Sequence, residues 1–392
     1  MSDLDLLTRC AVDVIERGDL QKRLDHAASK GRKLRIKFGM DPSSPDLHVG
    51  HSVQLLRLRA MQQAGHQIVL IVGDATAMVG DPSGRNKLRP QLSREDVERN
   101  LVTYTEQAGR VLDMARTEVH RNSEWFDQMR FEDVLRLAGK ATVARMLERD
   151  TFEKRMEAGE AIGVHEFLYP LMQGWDSVMI KSDVEIGGTD QLFNLLVGRE
   201  LQEKEGQPPQ ICLTFPLING LDGRKMSKSY GNSIGLTESA PEMFGKVMSL
   251  GDDVMGTWFE LLTDLRKDEV AALLAGHPRS AKARLGEEIA AFYHGREAGR
   301  AASEAFDRQF RDRELPSDIP EVTHAWPAEG VPLAVLLRDL GLAPSSNEAR
   351  RTVEQGGVKL GGTVHKDPKF VVQRPGEPLL IQFGKRKFLR VR

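Results

Sequence analysis

Arg35-Ile-Lys37-Phe-Gly39-Met-Asp41-Pro-Ser43-Ser-Pro-Asp-Leu-His48-Val-Gly50-His51 holds the key to the architecture. Residues 35 to 40 read as a buried strand ending at Gly39. A loop rich in Pro and Ser follows. A helix is expected from about His48 to Ala64. Leu47, Val53, Leu56, Ala60 and Met61 give it an apolar stripe, and Gly65 suits its C-terminal cap. Gln67 to Val72 is a second β-branched, apolar run. Strand, helix and strand of these lengths form a βαβ unit, which implies a parallel sheet.

Working outward, the same grammar recurs. Val184-Glu-Ile186 runs into Gly187-Gly188-Thr189-Asp190-Gln191, then a helix to about Glu205 and a strand over Gln210 to Leu217. Between the halves, residues 124–162 are helical and charged, and could pack on a second subunit. The catalytic domain is therefore set at 1–235, a helical domain at 236–315, a linker at 316–330 and a terminal module at 331–392. The segment Glu314 to Pro332 carries four prolines and no clear period, hence the linker. In the module, Ser345 and Glu348 form a capping-box pair, and Gly361-Gly362 marks a hairpin over Val358 to Val364.

The 392 residues suffice for two or three domains of roughly 100–200 residues each. Net charge is −2, yet Val331 to Arg392 holds 12 Lys/Arg against 5 Asp/Glu. A basic module on a neutral chain suggests an anionic partner such as nucleic acid. No apolar run approaches the roughly 20 residues that span a bilayer. The first 30 residues lack a signal-peptide core, and Cys10 and Cys212 have no metal or redox spacing. A reducing, cytoplasmic setting is expected.

His48, Gly50 and His51 fall where a strand turns into a helix. Unpaired N–H groups and the helix dipole favour phosphate there, and two imidazoles can donate to phosphate oxygens. Gly50 has no side chain to keep a flat base away. The loop after the second strand offers Arg85, Lys87 and Arg89 to further phosphates. Lys225-Met226-Ser227-Lys228-Ser229, flanked by Gly220, Gly223, Gly231 and Gly235, reads as a loop that closes on a triphosphate. Tyr169, Gln173 and Asp176 stand at i, i+4 and i+7, on one helical face suited to a polar amino acid. Asp190, after two glycines, can accept from both hydroxyls of a ribose. Each pattern alone also fits a plain helix cap, polar face or solvated loop.

His-x-Gly-His early and Lys-Met-Ser-Lys-Ser late resemble the paired signatures of class I aminoacyl-tRNA synthetases. With Tyr169, Gln173 and Asp176, the whole chain resembles the bacterial-type tyrosyl-tRNA synthetases. The resemblance implies a Rossmann-like parallel-sheet domain, a helical domain and an alpha-L RNA-binding motif. It implies ATP, with Mg²⁺, as the activating substrate, tyrosine and tRNA(Tyr) as the others, and a homodimer. It assigns Asp176 to the phenol, Tyr169, Gln173 and Asp81 to the α-amino group, and Gln191 to the neighbourhood of the carboxylate. Ser43, His48, His51, Arg85, Arg89, Lys225, Lys228 and Ser229 are implied as catalytic. Gly39, Asp41, Gly50, Gly188, Asp190, Lys225, Met226 and Lys228 are implied as ATP-binding.

One position departs from that pattern. The best-known bacterial subgroup carries a Tyr on the first strand that touches the substrate hydroxyl, whereas this chain has Lys37. Lys37 is counted with the tyrosine-binding set, its role open. A tryptophanyl enzyme, a catalytically dead RNA-binding scaffold and another nucleotidyltransferase are the rival readings. The first would not need Asp176 against a phenol. The second would not need His48, His51, Lys225 and Lys228.

Overall fold

Residues 2–42, 46–82, 92–227, 230–311, 319–384 and 387–392 are described by a computed structural model of the chain. β1 (Asp13–Ile15), β2 (Arg35–Met40), β3 (Gln67–Val72), β4 (Thr117–Arg121), β5 (Val184–Gly188) and β6 (Ile211–Phe215) form one sheet, ordered β1-β6-β5-β2-β3-β4. β1 runs antiparallel to β6, and every other pair is parallel. β3, β5 and β6 are buried almost throughout, as parallel strands covered on both faces must be.

The chain leaves β2 toward β3 and β4, then crosses back to lay down β5 and β6 on the other side. Neighbouring β2 and β5 thus send their connections in opposite directions, which opens a crevice at their C-terminal ends. The Val49–Gln63 helix follows β2, and the Leu192–Lys204 helix follows β5 after one 3₁₀ turn at Thr189–Gln191. The Leu168–Ile180 helix precedes β5 and packs closely on the Leu192–Lys204 helix. Gly174 permits this, because a Cβ there would come within 3.0 Å of the Gly198 backbone nitrogen.

The helical region after residue 236 is not a separate domain. Trp258, Phe259, Leu285 and Ile289 share one hydrophobic core with Ile36, Val53 and Leu70 of the sheet layer. Residues 1–304 accordingly form a single compact unit. Hydrophobic period alone reveals helices, not which layer they cover. The expected insertion contains the helices Ser123–Phe126, Phe131–Ala138, Val143–Leu147 and Asp150–Glu157.

The second unit spans residues 305–392. Here β7 (Glu321–Val322), β8 (Val331–Pro332), β9 (Val358–Leu360), β10 (Thr363–His365), β11 (Val371–Val372), β12 (Leu379–Phe383) and β13 (Lys387–Val391) make two sheets. The expected hairpin is present: Leu360 pairs with Thr363, and Gly361 and Gly362 take φ of 53° and 88°. Ser345 caps the Ser346–Glu354 helix, accepting from the Glu348 N–H at 3.2 Å. The expected linker is partly wrong. β7 pairs in parallel with β13, His324 N–H donates to the Arg392 carbonyl at 3.0 Å, and Trp326 packs on the module core. Its prolines obscure any period, but proline is tolerated at a sheet edge. Trp326→Ala should therefore destabilise this unit by about 2 kcal/mol, less than the loss of a fully buried aromatic. Thermal unfolding should show the transition of the 305–392 unit moving down while the 1–304 unit keeps its own.

Candidate active site

The turn after β2 is organised by its own side chains. His48 is the N-cap of the Val49–Gln63 helix, and its Nδ1 accepts from the Gly50 N–H at 3.2 Å. His51 Nδ1 accepts from the His48 N–H at 3.1 Å. With both Nδ1 atoms accepting, each neutral ring carries its proton on Nε2 and keeps one donor free for a ligand. Burial, then the neighbouring His51, pushes His48 down to about 2, and burial pushes His51 down to about 4. These are dipolar donors at neutral pH, not cations. A Cβ on Gly50 would sit 2.8 Å from His48 Nδ1 and 3.3 Å from Met226 Sδ. The histidine cap by itself therefore already favours glycine at this position. At Gly39, exposed at the end of β2, a Cβ would meet nothing within 4 Å, so the open floor of the crevice lies there.

The second loop is bonded to the first. His48 and Gly235 form an antiparallel bridge, with Val49 N–H donating to Ile234 O at 2.9 Å and Leu236 N–H to Leu47 O at 3.0 Å. Within the loop, buried Asn232 accepts from Ser227 N–H at 2.8 Å and donates to Asp222 at 2.6 Å and to Lys225 O at 3.2 Å. Lys225 then reaches across to Asp190, Nζ to Oδ2 at 2.9 Å, with about half of its side chain (54%) exposed. The residues expected to meet phosphate and ribose therefore converge at the ends of β2 and β5.

The face of the Leu168–Ile180 helix lies along the same crevice. Tyr169 donates to Asp41 at 2.8 Å, and Thr76 donates to the other Asp41 oxygen at 2.8 Å. Burial, then Asp41, holds the Tyr169 phenol protonated, and its oxygen retains lone pairs with which to accept. Asn194 donates to Gln173 Oε1 and to Gln191 Oε1, both at 2.9 Å. Gln191 in turn donates to Asp81 at 2.8 Å, and Arg149 donates to Asp81 at 3.2 Å. One helical turn deeper, buried Asp176 accepts from Trp125 Nε1 at 3.0 Å and Asn122 Nδ2 at 3.4 Å. Burial pushes its carboxyl up to about 7, against the opposing pull of Lys37 and these two donors.

Lys37 is held by groups of the protein itself. Its side chain is fully buried (0% exposed), and its ammonium is spent on Gln173 O at 2.7 Å, Ser177 Oγ at 2.8 Å and Glu185 Oε1 at 2.9 Å. A lysine there finds its compensating carboxylate, Glu185, on the neighbouring strand beneath the helix. At Gly188 a Cβ would meet Asp190 Oδ1 and Leu217 Cδ2, each at 2.7 Å. Internal packing thus demands that glycine. Ser43, Arg85, Arg89, Lys228 and Ser229 lie outside the described residues. Sequence reading missed Asn122, Trp125, Arg149, Glu185, Asn194 and Asn232. No spacing marks them: most act by meeting a residue distant in sequence, and Asn232 by tying together an aperiodic loop.

Comparison with known proteins accords with this geometry. The family of tRNA synthetases class I (W and Y) matches residues 29–311, and the S4 domain matches residues 331–378. The tyrosine–tRNA ligase of Geobacter sulfurreducens is 48% identical over 98% of this chain and 97% of its own. That of Symbiobacterium thermophilum is 49% identical over 99% and 97%. A C-terminally truncated mitochondrial tyrosyl-tRNA synthetase of Aspergillus nidulans superposes with a TM-score of 0.65 at 24% identity, covering 79% of this chain and 94% of its own. The Archaeoglobus fulgidus tyrosyl-tRNA synthetase complexed with L-tyrosine gives 0.61 at 22% identity, covering 77% and 98%. These two likenesses bear on the fold.

Because Trp125 donates directly to Asp176, its indole N–H should report the titration. The ¹⁵N–¹H resonance should move downfield as pH rises through about 7, when the carboxyl ionises and becomes the stronger acceptor. A Trp125 resonance that titrates unchanged in Asp176→Asn would refute the assignment.

Proposed function

The chain belongs to the tyrosine–tRNA ligase family, and we propose that the crevice at the ends of β2 and β5 performs the ligation as follows. The enzyme activates tyrosine with ATP to tyrosyl-adenylate and pyrophosphate, then transfers tyrosine to the 3′ end of tRNA(Tyr). What carries the substrate assignment is Asp176: a buried carboxylate, held by Trp125 and Asn122, one turn below a patch of acceptors. The phenol donates to Asp176, while Tyr169, Gln173 and Asp81 take the α-ammonium group. Phenylalanine would leave Asp176 buried without that donor, a discrimination for which tyrosyl enzymes are the standard illustration. Gln191, already bonded to Asp81, stands near the carboxylate.

The tyrosine carboxylate attacks the α-phosphorus as an anion, so no general base is needed. Catalysis comes from placement and from charge stabilisation. His48 and His51 offer their Nε2–H groups to phosphate oxygens, and Asp190 takes the ribose. Lys225 would move from Asp190 toward the pyrophosphate, and Ser43, Arg85, Arg89, Lys228 and Ser229 are added from the family resemblance. Mg²⁺ belongs to the substrate and arrives on ATP. Among the described residues, no three His, Cys, Asp or Glu side chains converge on a point that could hold a metal. The S4 domain binds RNA, and its basic surface meets tRNA phosphates. Two unpaired cysteines accord with a reducing cytoplasm. Among the described residues, no helix is long and apolar enough to cross a membrane.

A homodimer is part of this reading. It is supported by large apolar side chains left in solvent on and beside the insertion: Phe131 (77% exposed), Val143 (66%) and Val164 (81%). Phe131→Glu should give a monomer in sedimentation at micromolar concentration, where the parent chain sediments as a dimer; a monomeric parent would refute the reading. For the chemistry, tyrosine-dependent pyrophosphate exchange is the test. His48→Ala should lower kcat by about 10²-fold, the worth of one transition-state donor, with little change in KM for tyrosine. An unaltered kcat would remove His48 from the mechanism.

A further inference from the structure

We propose that the buried Lys37–Glu185 ion pair is a positioning device for the tyrosine pocket, setting amino-acid specificity through Gln173 and Asp176 without touching substrate. The inference rests on the pocket assignment above. Lys37 on β2 and Glu185 on β5 are direct register partners across the strand pair that opens the crevice. Each side chain is essentially unexposed. All three ammonium donors of Lys37 are used, two of them on successive turns of one helix, at Gln173 O and Ser177 Oγ. Glu185 completes the grip. Its Oε1 accepts from Gln173 Nε2 at 3.3 Å, and its Oε2 accepts from Ser177 Oγ at 3.0 Å and from Gln210. Gln173 is therefore held twice, by its main-chain carbonyl and by its side-chain amide.

Stability does not account for such a pair. Desolvating two charges costs several kcal/mol per ion, and well-packed apolar replacements of a buried pair are often neutral or better. What apolar side chains cannot do is fix the rotation of the Leu168–Ile180 helix about its axis through directional bonds at residues 173 and 177. Asp176 lies on that same turn, so the depth and aim of its carboxylate follow from the same clamp. Lys37 also opposes the effect of burial on Asp176. The strand position from which a Tyr would touch the substrate hydroxyl thus acts here indirectly, through the helix.

The experiment is tyrosine-dependent pyrophosphate exchange on the full chain, with KM for tyrosine, KM for ATP, kcat and the tyrosine-to-phenylalanine ratio as readouts. The double variant Lys37→Met/Glu185→Met leaves no uncompensated buried charge, but it strips Gln173, Ser177 and Gln210 of partners, so it should fold with a modestly lowered melting temperature. Its KM for tyrosine should rise about tenfold, as for loss of one charged hydrogen bond, with KM for ATP unchanged and discrimination against phenylalanine reduced. Ser177→Ala, a milder change that loosens both partners, should raise KM for tyrosine two- to threefold, roughly the value of one neutral hydrogen bond. A parental KM for tyrosine in the folded double variant, or an equal rise for ATP, overturns the proposal. Should the double variant fail to fold, an unchanged KM in Ser177→Ala overturns it. Gln173→Ala separates the two levels: no effect there retires the pocket assignment itself, whereas an effect there without one in Ser177→Ala and the double variant retires the ion pair alone.

Discussion

The antiparallel bridge between His48 and Gly235 is what makes one site of two distant segments. It consists of two backbone hydrogen bonds, Val49 to Ile234 and Leu236 to Leu47. The flanking side chains Leu47, Val49, Ile234 and Leu236 are all buried. Buried backbone groups must be paired, so neither segment can leave without stranding N–H and C=O groups and exposing apolar surface. The histidine turn and the base of the lysine loop therefore share one rigid seam. Lys225, half in solvent beyond that seam, keeps the freedom a closing cation needs.

The crevice divides its electrostatics between two depths. Near its mouth, Lys225 and Asp190 are partly solvated, so their pairing is weak and exchangeable. At its floor, Lys37, Glu185 and Asp176 are enclosed by the sheet and the Leu168–Ile180 helix, where an unpaired charge is costly. Adaptable charges thus lie toward solvent and committed ones toward the interior.

Much of this was legible in the chain, for reasons particular to each part. The βαβ unit at residues 35–72 showed itself because strand and helix periods differ and Gly65 marks a boundary. The polar face at Tyr169, Gln173 and Asp176 followed from helical spacing alone. The ion pair of Lys37 was not legible because its neighbour in space, Glu185, is 148 residues away and sits in an unremarkable Val-Glu-Ile run. Asn194 and Asn232 were invisible for a related reason: an amide that ties side chains or turns of a loop together has no period. The Glu321–Val322 strand escaped because two residues between prolines carry too little pattern, although pairing with β13 is enough to order them.

The amide row from Gln173 through Asn194 to Gln191 has fixed ends. Glu185 at one end and Asp81 at the other are both acceptors, and each draws an amide NH₂ toward itself. That leaves both glutamine carbonyls facing inward, where Asn194 supplies the shared donor. Two anions thus act as boundary conditions on the polarity of everything between them. The row cannot reverse one member at a time, because any single flip sets donor against donor or oxygen against oxygen. A row wired in this way is oriented before any ligand arrives, and the cost of orienting it is met when the chain folds.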